Sequence, residues 1–237
     1  MTQDTQDSDQ AEGQAVFDIT YLDRTDYEGY AANVALERVT PDAEQLIEHE
    51  GRKAYGSPES KDYAGRYQWI KARLRAGEDD VVEHGVATVD FRCSRVVSHE
   101  LVRHRIASYT QQSQRFREPR ITDFIIPPEL KPEHRAEWLA DYQAAYAVYR
   151  KWRDRGVKRQ TARYHLPLGS STELGATTNF REWRHILKLR ATRKAQPEMA
   201  YVMRKLRTVF AQKWPAVFDD LGEDREHAKR GAPDVSG

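Results

Sequence analysis

The sequence predicts an α+β fold, long helices packed around a small, mostly antiparallel sheet. Three observations lead there. Apolar residues recur at helical spacing through most of the chain, while only a few short stretches alternate like strands. No Gly/Ser-rich linker, repeat or low-complexity block divides residues 15–221, which therefore read as a single catalytic-size domain between polar tails at 1–14 and 222–237. Hydrophobic residues make up 39% of 237, enough to bury one core.

The elements follow in order. VFDITYL, from Val16, is a short strand candidate. PDAEQLIEHEGRKAY, from Pro41, places Pro in a first helical turn with acids after it, where the helix dipole favours them. SKDYAGRYQWIKARLRAG is a second helix: Tyr63, Tyr67, Ile70 and Leu74 share a stripe, and Gly77 stands at the C-terminal cap. VATVDFRC, Val86 to Cys93, alternates as a strand, and Ser94 caps a helix through SRVVSHELVRHR. SYTQQSQRFREPR is polar and reads as irregular, and Pro127-Pro128 ends a short apolar run. EHRAEWLADYQAAYAVYRKWRDRG is the longest helix, with Trp138, Tyr142, Tyr146 and Tyr149 on one face. A short helix over Lys158 to Tyr164, a strand at TELGATT, a helix from Asn179 and a last helix at PEMAYVMRKLRTVFAQKW complete the pattern.

Lys plus Arg is 38 against 37 Asp plus Glu, a formal charge of +1, which argues against a polybasic nucleic-acid binder. The aromatics available to stack bases fall at helical spacing and read as core. No run approaches the roughly 18 apolar residues of a membrane span. The start, MTQDTQDSDQAEGQ, lacks the features of a signal peptide, so the cytoplasm is the expected compartment. The single cysteine, Cys93, excludes an internal disulfide framework. Glycine-rich nucleotide loops of the G-x-G-x-x-G and G-x-x-x-x-G-K-[ST] kinds are absent. HELVRH is not a zinc site: its histidines stand five apart, about 140° around a helix, and no metal is expected.

Glu100, Arg103 and His104 stand at i, i+3 and i+4, one helical face. Arg103 and Arg115 suit a fork onto phosphate, and Gln111, Ser113 and nearby backbone N–H groups suit sugar or base edges. The same residues also suit a solvated basic turn laced with surface ion pairs, and composition leaves both readings open.

RHRIASYTQQSQR has the order R-H-R, seven residues, Ser, and Arg two positions later. With SHELVRHR, VVEHGVATVDFRCSR, ARYHLPL and TTNFREWRHILKLRATRKAQPEM, all in order, it resembles the flavin-dependent thymidylate synthases. The resemblance implies that family's fold and reaction. A carbon from methylenetetrahydrofolate is joined to C5 of a uridylate, dUMP to dTMP, with FAD reduced by NADPH as hydride donor and no enzyme cysteine attacking the pyrimidine. One branch instead methylates UMP in polyoxin-type nucleoside antibiotic biosynthesis. The resemblance puts Glu100, Arg103, Gln111, Gln112, Ser113, Gln114, Arg115, Arg163 and Arg190 on the nucleotide, with Arg190 catalytic. It puts Arg103, His104, Arg105, Asn179, Arg181, His185 and Leu189 on FAD. It also implies a homotetramer with shared active sites. Four positions depart from the family pattern: Ala54 stands for Ser or Cys, Glu78 for His, Asp80 for a hydroxyl residue and Lys194 for His.

Overall fold

The computed structural model describes residues 32–222. The strand expected from Val16, the tail 1–14 and the tail beyond Gly222 lie outside the described residues. Four strands, β1 (Asn33–Val39), β2 (Val86–Ser94), β3 (Ser108–Gln111) and β4 (Ser171–Asn179), form one sheet of order β1-β2-β4-β3, every pair antiparallel. Among the described residues eight α-helices surround it: α1 (Ala43–Tyr55), α2 (Tyr63–Ala76), α3 (Arg95–Leu101), α4 (Arg135–Asp154), α5 (Arg159–Ala162), α6 (Phe180–Arg190), α7 (Pro197–Lys213) and α8 (Pro215–Phe218). This is the α+β architecture the periodicity predicts.

Alternation decides which sheet face is covered. Ala87, Val89, Phe91 and Cys93 of β2 and Leu174 and Ala176 of β4 point to one side and are buried. Trp183 of α6 closes over them, its ring 6.4 Å from Phe91 and its indole N–H donating to the Ala87 carbonyl at 3.1 Å. Phe180, Phe210, Trp214 and Phe218 pack around it, joining α6, α7 and α8 in one aromatic cluster. Burying Trp183 fully makes its truncation to Ala a loss of about 3–5 kcal/mol.

Several expectations are corrected. Pro41 precedes the N-cap Asp42 of α1 rather than sitting in its first turn. β1 was not legible, because a bulge at Glu37 breaks its alternation against β2. Tyr63 and Trp138 head their stripes but are 46% and 45% exposed, so both stripes bury only toward the helix interior. Ser108–Gln111, expected to be irregular, is an edge strand because β4 offers it a ladder. The helix expected to run through His104 and Arg105 ends at Leu101, with no glycine to end it. Instead the Tyr109 hydroxyl sits 2.9 Å from the Leu101 carbonyl and 3.0 Å from that of His104, satisfying the helix end from β3.

Candidate active site

Two junctions of the sheet build the site. At the first, β2 ends in Ser94, whose side chain accepts from Val97 N–H and starts α3. Glu198 of α7 accepts from both the backbone N–H and the hydroxyl of Ser94, at 2.7 and 2.6 Å. Burial holds the Glu198 carboxyl above its usual range, the Ser94 bonds opposing. Glu198, near the end of the TTNFREWRHILKLRATRKAQPEM block, is thus a brace under the site. At the second junction, β4 ends in Asn179, whose side chain accepts from Glu182 N–H and starts α6.

The ends of these helices meet. Arg190, last in α6, donates from Nη1 to Glu100 Oε2 at 2.8 Å and from Nε to His104 Nε2 at 3.1 Å. Because the Arg190 guanidinium always carries its protons, His104 Nε2 must be the acceptor and Nδ1 holds the ring hydrogen. Nδ1 faces Glu182 Oε1 at 3.6 Å. Burial, then the charges of Arg190, His185 and Arg103, push His104 down to about 4, so the ring is neutral. Burial raises Glu182 as well. His185 lies 5.9 Å from His104, edge-on. His104, Glu182 and His185 bring ligand atoms within 4.8 Å of one another, a spacing a metal could use. Both nitrogens of His104 are already committed, one to Arg190 and one to its hydrogen, so His104 offers no free lone pair to a metal in this arrangement.

The polar stretch after β3 is held from below. Gln111 donates to Ser98 Oγ at 2.9 Å, and Gln112 N–H donates to the Glu173 carbonyl at 2.9 Å. Ser113–Arg117 is a tight turn: Phe116 and Arg117 N–H both donate to the Ser113 carbonyl, and Arg115 N–H donates to Ser113 Oγ at 3.2 Å. Gln114 is half-buried within it. The turn sends Arg115 outward, stacked on Phe116 at 5.4 Å, with Phe116 74% exposed.

Five arginines here, Arg95, Arg103, Arg105, Arg115 and Arg163, have no carboxylate partner among the described residues. Arg95 and Arg163 face each other closely enough that Arg163 lowers the pKa of Arg95, after burial, which lowers it most. Arg95 donates to the Gln112 carbonyl at 3.1 Å, yet its Nε is buried without a partner. Two like charges facing each other without an acid, one with an orphaned N–H, fit an anion with several oxygens. Sequence reasoning missed Arg95. One signal was available: it is the first residue of a helix, where the dipole disfavours a cation.

The flavin-assigned residues are less uniform. Arg103, Arg105 and His185 are exposed and Leu189 is 51% exposed, whereas Arg181 is paired with Glu83 at 2.6 Å. Unpaired guanidiniums beside an exposed apolar side chain fit a diphosphate attached to a planar ring. Glu78 accepts from Tyr55 and is 3.5 Å from Arg73, while Asp80 acts on Arg181; the acids gained at these positions are balanced by arginines and not by Lys194. Cys93 is fully buried, its thiol pushed far up by burial and then by Glu198, and so is no nucleophile.

An antiparallel sheet whose edge strand leads toward arginines without a carboxylate partner, with a further arginine clamped by a neutral histidine, is an arrangement suited to an anionic ligand. The comparisons narrow this. The family model described as thymidylate synthase complementing protein matches residues 35–216. The flavin-dependent thymidylate synthase of Sulfurisphaera tokodaii is 35% identical over 203 residues, 80% of this chain and 77% of that protein. That of Thermococcus onnurineus is 41% identical over 140 residues, 56% of this chain, and the match spans 57% of that protein's length. A UMP/dUMP methylase, PolB from Streptomyces cacaoi, solved with 5-Br dUMP, shares the fold with a TM-score of 0.69 at 22% identity, covering 79% of this chain and 93% of that one. The chain belongs to the flavin-dependent thymidylate synthase family. Among the described residues no helix is long and apolar enough to cross a membrane.

Proposed function

We propose that this chain methylates C5 of a uridine 5′-monophosphate, dUMP to dTMP, with methylenetetrahydrofolate as carbon donor and NADPH as reductant of FAD. The observation that carries the proposal is the pair Arg95 and Arg163, which face each other without an acid, in a chain whose Arg190 is fixed by Glu100 and His104. Arg95, Arg115 and Arg163 take the phosphate, and Gln111, Gln112, Ser113 and Gln114 surround the sugar. Arg103 serves both this pocket and the flavin-binding group of His104, Arg105, Asn179, His185 and Leu189. Arg181 joins that group once it exchanges Glu83 for ligand. FAD, when bound and reduced, supplies the hydride that completes the methyl group.

Arg190 stabilises negative charge on the pyrimidine's N3 and carbonyl oxygen, which raises electron density at C5. Glu100 and the neutral His104 fix its plane before substrate arrives, so little reorganisation is needed. Ser113 has no base beside it and acts in binding. Ile106, Phe116 and Tyr164, 69%, 74% and 86% exposed on the site's own segments, support a homotetramer whose subunits cover one another's sites. Light scattering tests that assembly.

UMP is the second reading. The Streptomyces cacaoi protein of this fold is a methylase of both nucleotides, and the acids at 78 and 80 set this chain's flavin side apart from the family pattern. Product formation from dUMP and UMP, each with methylenetetrahydrofolate, NADPH and FAD and read by mass, tests both. A mass gain of one methyl group on dUMP is expected, and an equal or larger gain on UMP moves the assignment to the second reading. No gain on either overturns the proposal.

A further inference from the structure

Resting on that reading, we propose that Glu118 is a positioning residue that sets the distance between the two segments gripping the nucleotide phosphate. Glu118 follows the Ser113–Arg117 turn directly. Its Oε1 accepts from the Tyr149 hydroxyl at 2.6 Å, from Arg153 Nε at 3.2 Å and from Arg150 Nη1 at 3.4 Å. Its Oε2 lies 3.8 Å from Arg159 Nε. Arg159 opens α5, and Arg163 follows one helical turn later. One carboxylate therefore ties the turn that carries Arg115 to the turn that carries Arg163.

The tie is continued by α4, which runs antiparallel to the chain after the turn. The hydroxyls of Tyr149, Tyr146 and Tyr142 reach in sequence the Glu118 carboxylate, the Pro119 carbonyl at 3.0 Å and the Asp123 carbonyl at 2.8 Å. Arg117 adds bonds to Gln112 at 2.7 Å and Asp123 at 3.3 Å. The three tyrosines lie at helical spacing and read in the sequence as packing alone; their hydroxyls make the stripe a row of clamps. A segment without regular structure would otherwise lose its freedom on binding, and fixing it beforehand removes that penalty from the affinity. Partly exposed ion pairs contribute little to stability singly, so the signature is lost affinity with only a small loss of melting temperature.

The test measures binding of dUMP and UMP by calorimetry, and of FAD by visible absorbance, on the full chain. Glu118→Gln and Tyr149→Phe are compared with wild type, and Tyr67→Phe, which removes a hydroxyl from Asp219 remote from the turn, is the control. Both site variants are expected to raise the Kd of the preferred nucleotide about tenfold, with FAD affinity unchanged and the control at wild-type affinity. Should Glu118→Gln fail to fold, Tyr149→Phe carries the comparison. Unchanged nucleotide affinity overturns the proposal whatever the melting temperature, as does an equal loss of FAD affinity. Wild-type protein that binds neither nucleotide overturns the functional reading beneath it.

Discussion

Two populations of arginine divide this molecule. In the scaffold, Arg184 grips Asp220 with two bonds, 2.6 and 2.8 Å, and also donates to the Val217 carbonyl, tying α6 to the segment after α8. Burial raises Asp220, but the bonds and charge of Arg184, with Lys71, outweigh it and hold the carboxyl at about 2. In the site, Arg95 and Arg163 stand together without an acid. The first arrangement balances its charge within the chain, although the Arg184 Nε is buried without a partner. The second costs folding energy, which the proposed binding of a multiply charged anion would relieve. Arg190 belongs to both, paired with Glu100 yet placed where the substrate ring is expected.

Breaking the scaffold pair gives the largest effect. Arg184→Ala leaves Asp220 buried without its main partner and is expected to lower stability by about 3–5 kcal/mol, measured by chemical denaturation. Turnover per folded molecule should hold near wild type; a specific loss of turnover would place Arg184 in the site. Arg190→Ala is expected to cut turnover on the order of 100-fold while FAD stays bound, since one preorganised charge donor is lost. Near-normal turnover would show that another group stabilises the ring. Arg163→Ala should raise nucleotide Kd by about tenfold and leave the melting temperature level or slightly higher, because a like charge beside Arg95 is gone. A clear fall in melting temperature would mean that Arg163 serves the scaffold.

The smallest effect is a pH dependence. His104 is held near 4 in the folded chain against 6.5 ordinarily, so the unfolded chain binds the extra proton first. Its contribution is complete above about 6.5 and declines as pH falls toward about 4. Relative to His104→Gln, wild type should lose stability across that window, followed by melting temperature in a pH series. Parallel curves would show that His104 is not held neutral by its surroundings.

Legibility differed between regions for physical reasons. Helices with a capping residue were readable: Ser94 and Asn179 start α3 and α6 as their side chains demand, and Gly77 ends α2 with φ 85°. β3 was not, because Ser108–Gln111 is only four residues long at the head of a polar stretch and shows its extended form through its ladder to β4. The end of α3 was missed because a tyrosine from another element supplies the cap.

The sequence by itself determined the fold class, the order of most elements and, through the spacing of its motifs, the family. Periodicity and capping act over a few residues, and motif spacing is a property of the chain alone. Only the tertiary structure decided which arginines are paired and which are left facing one another, that Arg190 meets Glu100 and His104, and that Glu118 joins two distant turns. Those contacts span up to 90 residues, from Glu100 to Arg190, and charges so far apart in sequence acquire an interaction only when the sheet brings their helix ends together.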